Sequence, residues 1–247
     1  MAAVVLLCAA SATAQDHTYS TADIATGVRV YGAQCAGCHG PNGDMVNGVD
    51  LRRGRFRRSV SDDDLAGVIA NGAGGGAMPG FKLAAAETTG LIAFIRAGFD
   101  PGGTAVKVGN VASGQDLFAG KGGCATCHRS GAEGPRSAPD LSDIGALRTP
   151  ASLQRSLLDP ALAMLPVNRP VTIQTTAGHT VRGRRLNEDT FSVQLVDETG
   201  RLVTVEKRDV KSFEAAMTSP MPSVAKTLSA DEVADLVAYL LSLRGPQ

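Results

Sequence analysis

Four of the five cysteines fall in two copies of one pattern, Cys35-Ala36-Gly37-Cys38-His39 and Cys124-Ala125-Thr126-Cys127-His128. Residues three apart on a helix lie on one face, about one turn from each other. Two thiols at that spacing can add to the two vinyl groups of a haem, and an imidazole directly after them reaches the iron. C-x-x-C-H is therefore the pattern of covalent haem attachment. Four thiols could instead hold zinc, but two pairs separated by 85 residues, each followed by His, fit that poorly. Thioredoxin-like dithiols lack the His. Cys35, Cys38, Cys124 and Cys127 are the candidate thioether residues, and His39 and His128 the candidate iron ligands, of two covalently bound haem c groups.

The elements that must position these residues repeat as well. Gly27 precedes Tyr31 by four residues, as Gly114 precedes Phe118. Gly48-Val49-Asp50-Leu51 corresponds to Ala138-Pro139-Asp140-Leu141, and Met78-Pro79 to Met221-Pro222. Each half closes on an amphipathic helix. Residues 87–95 align without gaps on 232–240, with apolar stripes Leu91, Phe94, Ile95 and Leu236, Tyr239, Leu240. Ser229 with Glu232 reads as a capping box for the last helix.

With these motifs the chain resembles a bacterial di-haem cytochrome c built from two class I cytochrome c domains in tandem, over nearly all of the mature sequence. The resemblance implies a mainly α fold in which the first and last helices of each domain cross over the haem edge. Gly27 with Tyr31 would then meet Phe94, and Gly114 with Phe118 would meet Tyr239. It also implies a Met thioether as the second axial ligand, a soft donor that favours Fe(II). Met78 lies 39 residues after His39 in a Gly-Ala-Met-Pro-Gly loop before the helix, with Met45 as its competitor. In the second half Met221 shares the Met-Pro dipeptide and the placement before the final helix, against Met164 and Met217. In such domains a Pro carbonyl holds the other ring nitrogen of the proximal His. Pro139 occupies that place in the second half, whereas the first has Val49 there and Pro41 nearer the motif. Of the other histidines, His17 lies in the N-terminal arm and His179 in an expected hairpin turn.

From about Val167 to Phe213 the apolar period changes from helical to alternating. Strands are expected over 171–176, 179–186, 191–196 and 202–205, with turns at 177–178, 187–189 and 198–200 and a further short strand at 210–213. The result would be a small antiparallel sheet or barrel inserted in the second domain. It lies between Leu157-Leu158-Asp159-Pro160 and Met221-Pro222. This half resembles the haem-binding domain associated with bacterial dehydrogenases of the propeller type. The inserted sheet could dock a partner, shield the haem or be passive decoration.

Composition limits the remaining choices. With 24 basic and 24 acidic residues the net charge is zero, which argues against nucleic acid as a partner. Ten aromatics and no Trp leave little bulky apolar material, a shortage that a large cofactor would relieve. Met1 to Ala14 reads as a signal peptide with an Ala-Thr-Ala cleavage site but no basic residue before it, so the true start could lie upstream. Cys8 inside it follows Leu7, which does not suit lipidation, and no run is long enough to span a membrane. The expected layout is a leader over 1–14, a first domain over 15–100, a linker over 101–112 and a second domain over 113–247. The basic run Arg52, Arg53, Arg55, Arg57 and Arg58 reads as a solvated loop, with one or two members available to haem propionates.

No acid–base pair or nucleophile constellation accompanies either motif, so no catalytic residue is assigned. The expected function is electron transfer by a periplasmic di-haem cytochrome, between a dehydrogenase-type donor and a respiratory acceptor. A di-haem peroxidase or a haem-based sensor is the alternative, and either would need one open coordination site.

Overall fold

A computed structural model describes residues 18–56, 61–131, 134–164 and 169–245. The leader at 1–14, Cys8, His17, Arg57, Arg58 and the expected start of the alternating segment at Val167 lie outside the described residues. Among the described residues no helix is long and apolar enough to cross a membrane.

The first half is built on α1 (Thr21–Val30) and α4 (Ala85–Arg96). Ser20 starts α1 through a capping box with Asp23, so two otherwise orphaned amides are satisfied by side chains. The chain leaves α1 through a widened turn at Tyr31–Cys35, where the amide of Ala36 donates five residues back to Tyr31, and continues into α2 (Ala36–His39). Gly40 ends it with φ of 75°, a conformation that costs glycine little. A second capping box, Ser61 with Asp64, opens α3 (Asp62–Asn71). Ile24, Leu65, Ile69, Leu91 and Phe94 join these helices in one buried cluster.

The second half repeats the plan. Asn110 caps α5 (Val111–Ala119), Thr149 caps α7 (Pro150–Leu158), and Ser229 with Glu232 caps α9 (Ala230–Ser242). Two single turns, α6 (Ile144–Leu147) and α8 (Pro160–Ala163), flank α7. Leu153, Leu157, Leu236 and Val237 form its buried cluster.

Between α8 and α9 the chain forms five antiparallel strands: β1 (Pro170–Thr175), β2 (Thr180–Glu188), β3 (Ser192–Asp197), β4 (Leu202–Glu206) and β5 (Val210–Ala215). Their spatial order is β4-β3-β2-β1-β5, an open sheet rather than a closed barrel. Its core is separate from the other two and consists of Val171, Ile173, Val193, Leu195 and Val205. β2 runs two residues beyond its expected end, and the turn falls at 189–191. The Asp189 carboxylate makes that turn by accepting from the amides of Phe191 and Ser192.

The segment expected as a linker is packed. Ala105, Val106 and Val108 are buried. The amide of Tyr19 donates to Ala105, that of Asp62 to Val108, and that of Gly109 to Ala234. Residues 105–109 are thus bonded to the helical elements on both sides, and α5 begins at Val111, inside the range given to the linker.

Candidate haem-attachment sites

Two glycines let the helices carrying or preceding the motifs cross their partners at close range. A Cβ at Gly27 of α1 would lie 2.0 Å from the carbonyl oxygen of Gly90 in α4. A Cβ at Gly114 of α5 would lie 2.0 Å from the carbonyl oxygen of Asp235 in α9. One turn onward an aromatic pair closes each crossing. Tyr31 and Phe94 have ring centroids 5.8 Å apart, and Phe118 and Tyr239 have theirs 5.2 Å apart. Phe99 adds a third ring at the first crossing, 4.7 Å from Tyr31.

The first motif continues the helix. Cys35 is half-buried and Cys38 exposed, and both are free thiols. Burial pushes the Cys35 thiol up. The Tyr31 hydroxyl donates to the carbonyl of Gly40 at 2.6 Å and so pins the end of the motif to α1. Burial, with smaller contributions from Cys35 and Asp44, pushes that phenol up to about 12. His39 Nδ1 is buried and has no hydrogen-bond partner among the described residues; neither Val49 nor Pro41 supplies the acceptor. Burial also disfavours the charged form of this imidazole, leaving the neutral ring that a metal requires.

The second motif, which differs only in having Thr126 where the first has Gly37, takes a different backbone. Gly120, Gly122 and Gly123 end α5 before the cysteines, and Gly123 has φ of 64°. Cys124–Thr126 forms a short tight turn from which the His128 amide donates to Cys124 at 2.8 Å. His128 Nδ1 lies 2.8 Å from the carbonyl oxygen of Pro139. A carbonyl can only accept, so the proton is on Nδ1 and the Nε2 lone pair is free. Amides of Ala138 and Leu141 donate back to Cys127 and Arg129, which holds the acceptor loop beside the motif. Burial lowers the pKa of His128, the Pro139 bond opposes it, and the positive charge of Arg184 lowers it further. Arg184 comes from β2. Strand alternation alone gave no signal of this influence.

The methionines separate by environment. Met78 exchanges backbone hydrogen bonds with Ala73 across a turn in which Gly74, Gly75 and Gly76 all have positive φ, and it is half-buried. Met221 is half-buried against the second core. Met217 and Met45 are each 71% exposed. The Met217 sulfur accepts from Arg169, and the Met45 side chain covers Gly40. Met164 ends α8, and His179 is exposed beside its hairpin turn. Arg52, Arg53 and Arg55 are exposed; Arg53 faces Asp50 at 3.7 Å.

Residues 22–95 match the family described as cytochrome c oxidase, cbb3-type, subunit III. Residues 111–192 match the family described as cytochrome c. Cytochrome c6 of Leptolyngbya boryana is 36% identical over 62 residues, which are 25% of this chain and 73% of that protein. A chain of a Kuenenia stuttgartiensis reducing HAO-like protein complex is 17% identical. The alignment covers 88% of this chain and 95% of that one at a TM-score of 0.26, too low to bear on the fold.

The side chains suit covalently held haem. Each motif offers one half-buried and one exposed free thiol. The Pro139 bond fixes a tautomer of His128 whose other nitrogen is available to iron. The two matched segments are consistent with two haems. The chain belongs to the cytochrome c family of electron-transfer proteins, with covalently bound, iron-containing haem c as its cofactor.

Proposed function

We propose that this protein is a di-haem cytochrome c that works outside the bacterial cytoplasm and passes electrons from a dehydrogenase-type donor to a respiratory acceptor. The observation that carries the reading is the doubled packing unit. Each C-x-x-C-H follows a glycine-mediated helix crossing closed by an aromatic pair, at Gly27 with Phe94 and at Gly114 with Tyr239. Bound haem supplies a one-electron Fe(III)/Fe(II) couple at each site.

The chain's own residues hold and tune that couple. Cys35 with Cys38, and Cys124 with Cys127, form the thioethers. His39 and His128 would ligate the iron through their imidazoles, and Met78 and Met221 would each supply a thioether sulfur as a second, soft donor. The Pro139 carbonyl orients His128 and raises its basicity, whereas His39 has no such acceptor among the described residues; the two sites differ in this respect. The buried crossings keep water from one edge of each site. The two haem domains are the part of the chain up to about residue 100 and the part from α5, which begins at Val111, onward. The sheet at 170–215 is an insertion in the second domain, because α7 before it and α9 after it share one core.

The leader-like sequence at 1–14 and the covalent attachment chemistry support placement across the inner membrane. The strand segment between Asp159-Pro160 and Met221-Pro222 supports a propeller-type dehydrogenase as donor. Redox proteins are the partners that the fold implies, and membrane association is not part of the reading.

The haem-to-chain ratio of the mature protein tests this reading. Two haems are expected, falling to one when Cys35 and Cys38, or Cys124 and Cys127, are replaced by Ala. A wild-type ratio of one would contradict it.

A further inference from the structure

The two helix crossings carry their phenol on opposite helices. At the first, Tyr31 directly after α1 faces Phe94 of α4; at the second the order is reversed, and Phe118 of α5 faces Tyr239 of α9. Each hydroxyl nevertheless reaches the chain just past its motif. Tyr31 donates to the carbonyl of Gly40, the residue after His39, in a buried bond of 2.6 Å. The Tyr239 oxygen lies 3.1 Å from Oγ of Ser130, two residues after His128.

These two bonds meet different needs. His128 is held through its own ring by the Pro139 carbonyl. The chain after it is held by the Leu141 amide on Arg129 and by Ser142, whose Oγ accepts from the Gly131 amide at 2.7 Å. His39 has no such ring acceptor among the described residues. The described backbone bonds at its turn are local: the amide of Met45 donates to His39, that of Gly43 to Gly40 and that of Gly40 to Ala36. The Tyr31 bond instead brackets the whole motif, from four residues before Cys35 to the residue after His39. The Tyr31 ring is itself fixed against Phe94 and Phe99. A buried donor and acceptor are costly to leave unmade, so this bond imposes one position on the end of the motif.

We propose that Tyr31 is the positioning residue of His39. Its hydroxyl does through the backbone at Gly40 what the Pro139 carbonyl does through the ring of His128. Tyr239 only reinforces a histidine that is already held. This inference rests on the reading that His39 and its cysteines hold a haem.

The test uses the holo-protein after its haem-to-chain ratio is measured; a ratio below two refutes the functional reading, whatever Tyr31 does. Electron paramagnetic resonance of the oxidised protein and spectroelectrochemical titration then compare wild type, Tyr31→Phe, Tyr239→Phe and Tyr19→Phe. All three variants keep their ring, and the Tyr19 hydroxyl bonds Asp62 rather than the end of a motif. Backgrounds with Cys124 and Cys127, or Cys35 and Cys38, replaced by Ala identify each haem. Tyr31→Phe is expected to broaden the low-spin signal of the first haem, as the imidazole takes a spread of orientations. Its reduced-to-oxidised ratio should rise about threefold at fixed ambient potential, about 28 mV for a one-electron couple, because a loosely held imidazole donates less to ferric iron. Para-aminophenylalanine in place of Tyr31 keeps a donor on the same ring and should restore both readouts. Tyr239→Phe should leave the second haem as in wild type. An unchanged signal and potential in Tyr31→Phe would overturn the proposal. So would an equal change in Tyr19→Phe, or an equal change at the second haem in Tyr239→Phe. Where Tyr31→Phe does not retain the first haem, the para-aminophenylalanine protein decides: a wild-type signal supports the tether and any other result overturns it.

Discussion

Gly27 of α1 faces Gly90 of α4 so closely that a Cβ at residue 27 would also meet the Phe94 Cβ at 2.6 Å. Backbone lies on the other side of this contact, so no flexible side chain can yield. Gly27→Ala and Gly114→Ala are each expected to cost about 1–3 kcal/mol through overpacking. Gly32→Ala meets nothing within 4 Å and should be neutral or stabilising by about 0.5–1 kcal/mol. Urea unfolding of the three variants measures this.

Met221 and Met217 are four residues apart, yet only Met221 touches the second core. Met221→Leu should abolish the Met-to-iron charge-transfer band of one haem, and Met217→Leu should leave both bands in place. The reverse pattern in the absorption spectrum would reassign the ligand.

Asp62 ties three segments together. One carboxylate oxygen accepts from the Tyr19 hydroxyl at 2.6 Å and from the Val108 amide at 3.0 Å, and the other accepts from Arg96 Nε at 2.7 Å. The Arg96 side chain is only 4% exposed. Arg96→Ala would leave a largely buried carboxylate short of its countercharge and is expected to cost about 3 kcal/mol. Tyr19→Phe removes one neutral donor and should cost about 1 kcal/mol. Both follow from denaturant titration.

Alkaline pH should destabilise the fold through its phenols. Burial, with the negative charge of Asp62, raises the Tyr19 pKa, and burial pushes Tyr31 up to about 12 from 10.0. Above pH 10 the unfolded chain gives up protons that the folded chain keeps, so stability falls as pH rises. For Tyr31 the loss spans roughly pH 10 to 12. Thioether formation removes the Cys35 contribution but not the burial that dominates. Thermal melts between pH 9 and 12 should show the decline, and Tyr31→Phe should flatten it.

What the sequence disclosed was whatever short spacing determines. The Gly-x-x-x-aromatic pairs, the Ser229–Glu232 box and the alternating strands each depend on residues within a turn or two of one another. They appear at the crossings, the α9 cap and the sheet. Features set by tertiary context were hidden. The Gly-rich stretch 101–112 reads as a linker, yet Val106 and Val108 are buried by elements distant in sequence. Two pentapeptides that differ only at Gly37 and Thr126 take different backbones because Gly120, Gly122 and Gly123 interrupt only the second helix. Arg184 carried no signal of its own in the sequence, since alternation separates two faces without saying what either one meets.

Near-infrared magnetic circular dichroism of the oxidised holo-protein, at a measured haem-to-chain ratio, tests the central claim most directly. Two haems per chain, both low-spin with His/Met bands, are predicted from His39 with Met78 and His128 with Met221. A high-spin or bis-His component would contradict the account, since it would mean that at least one iron is open or differently ligated.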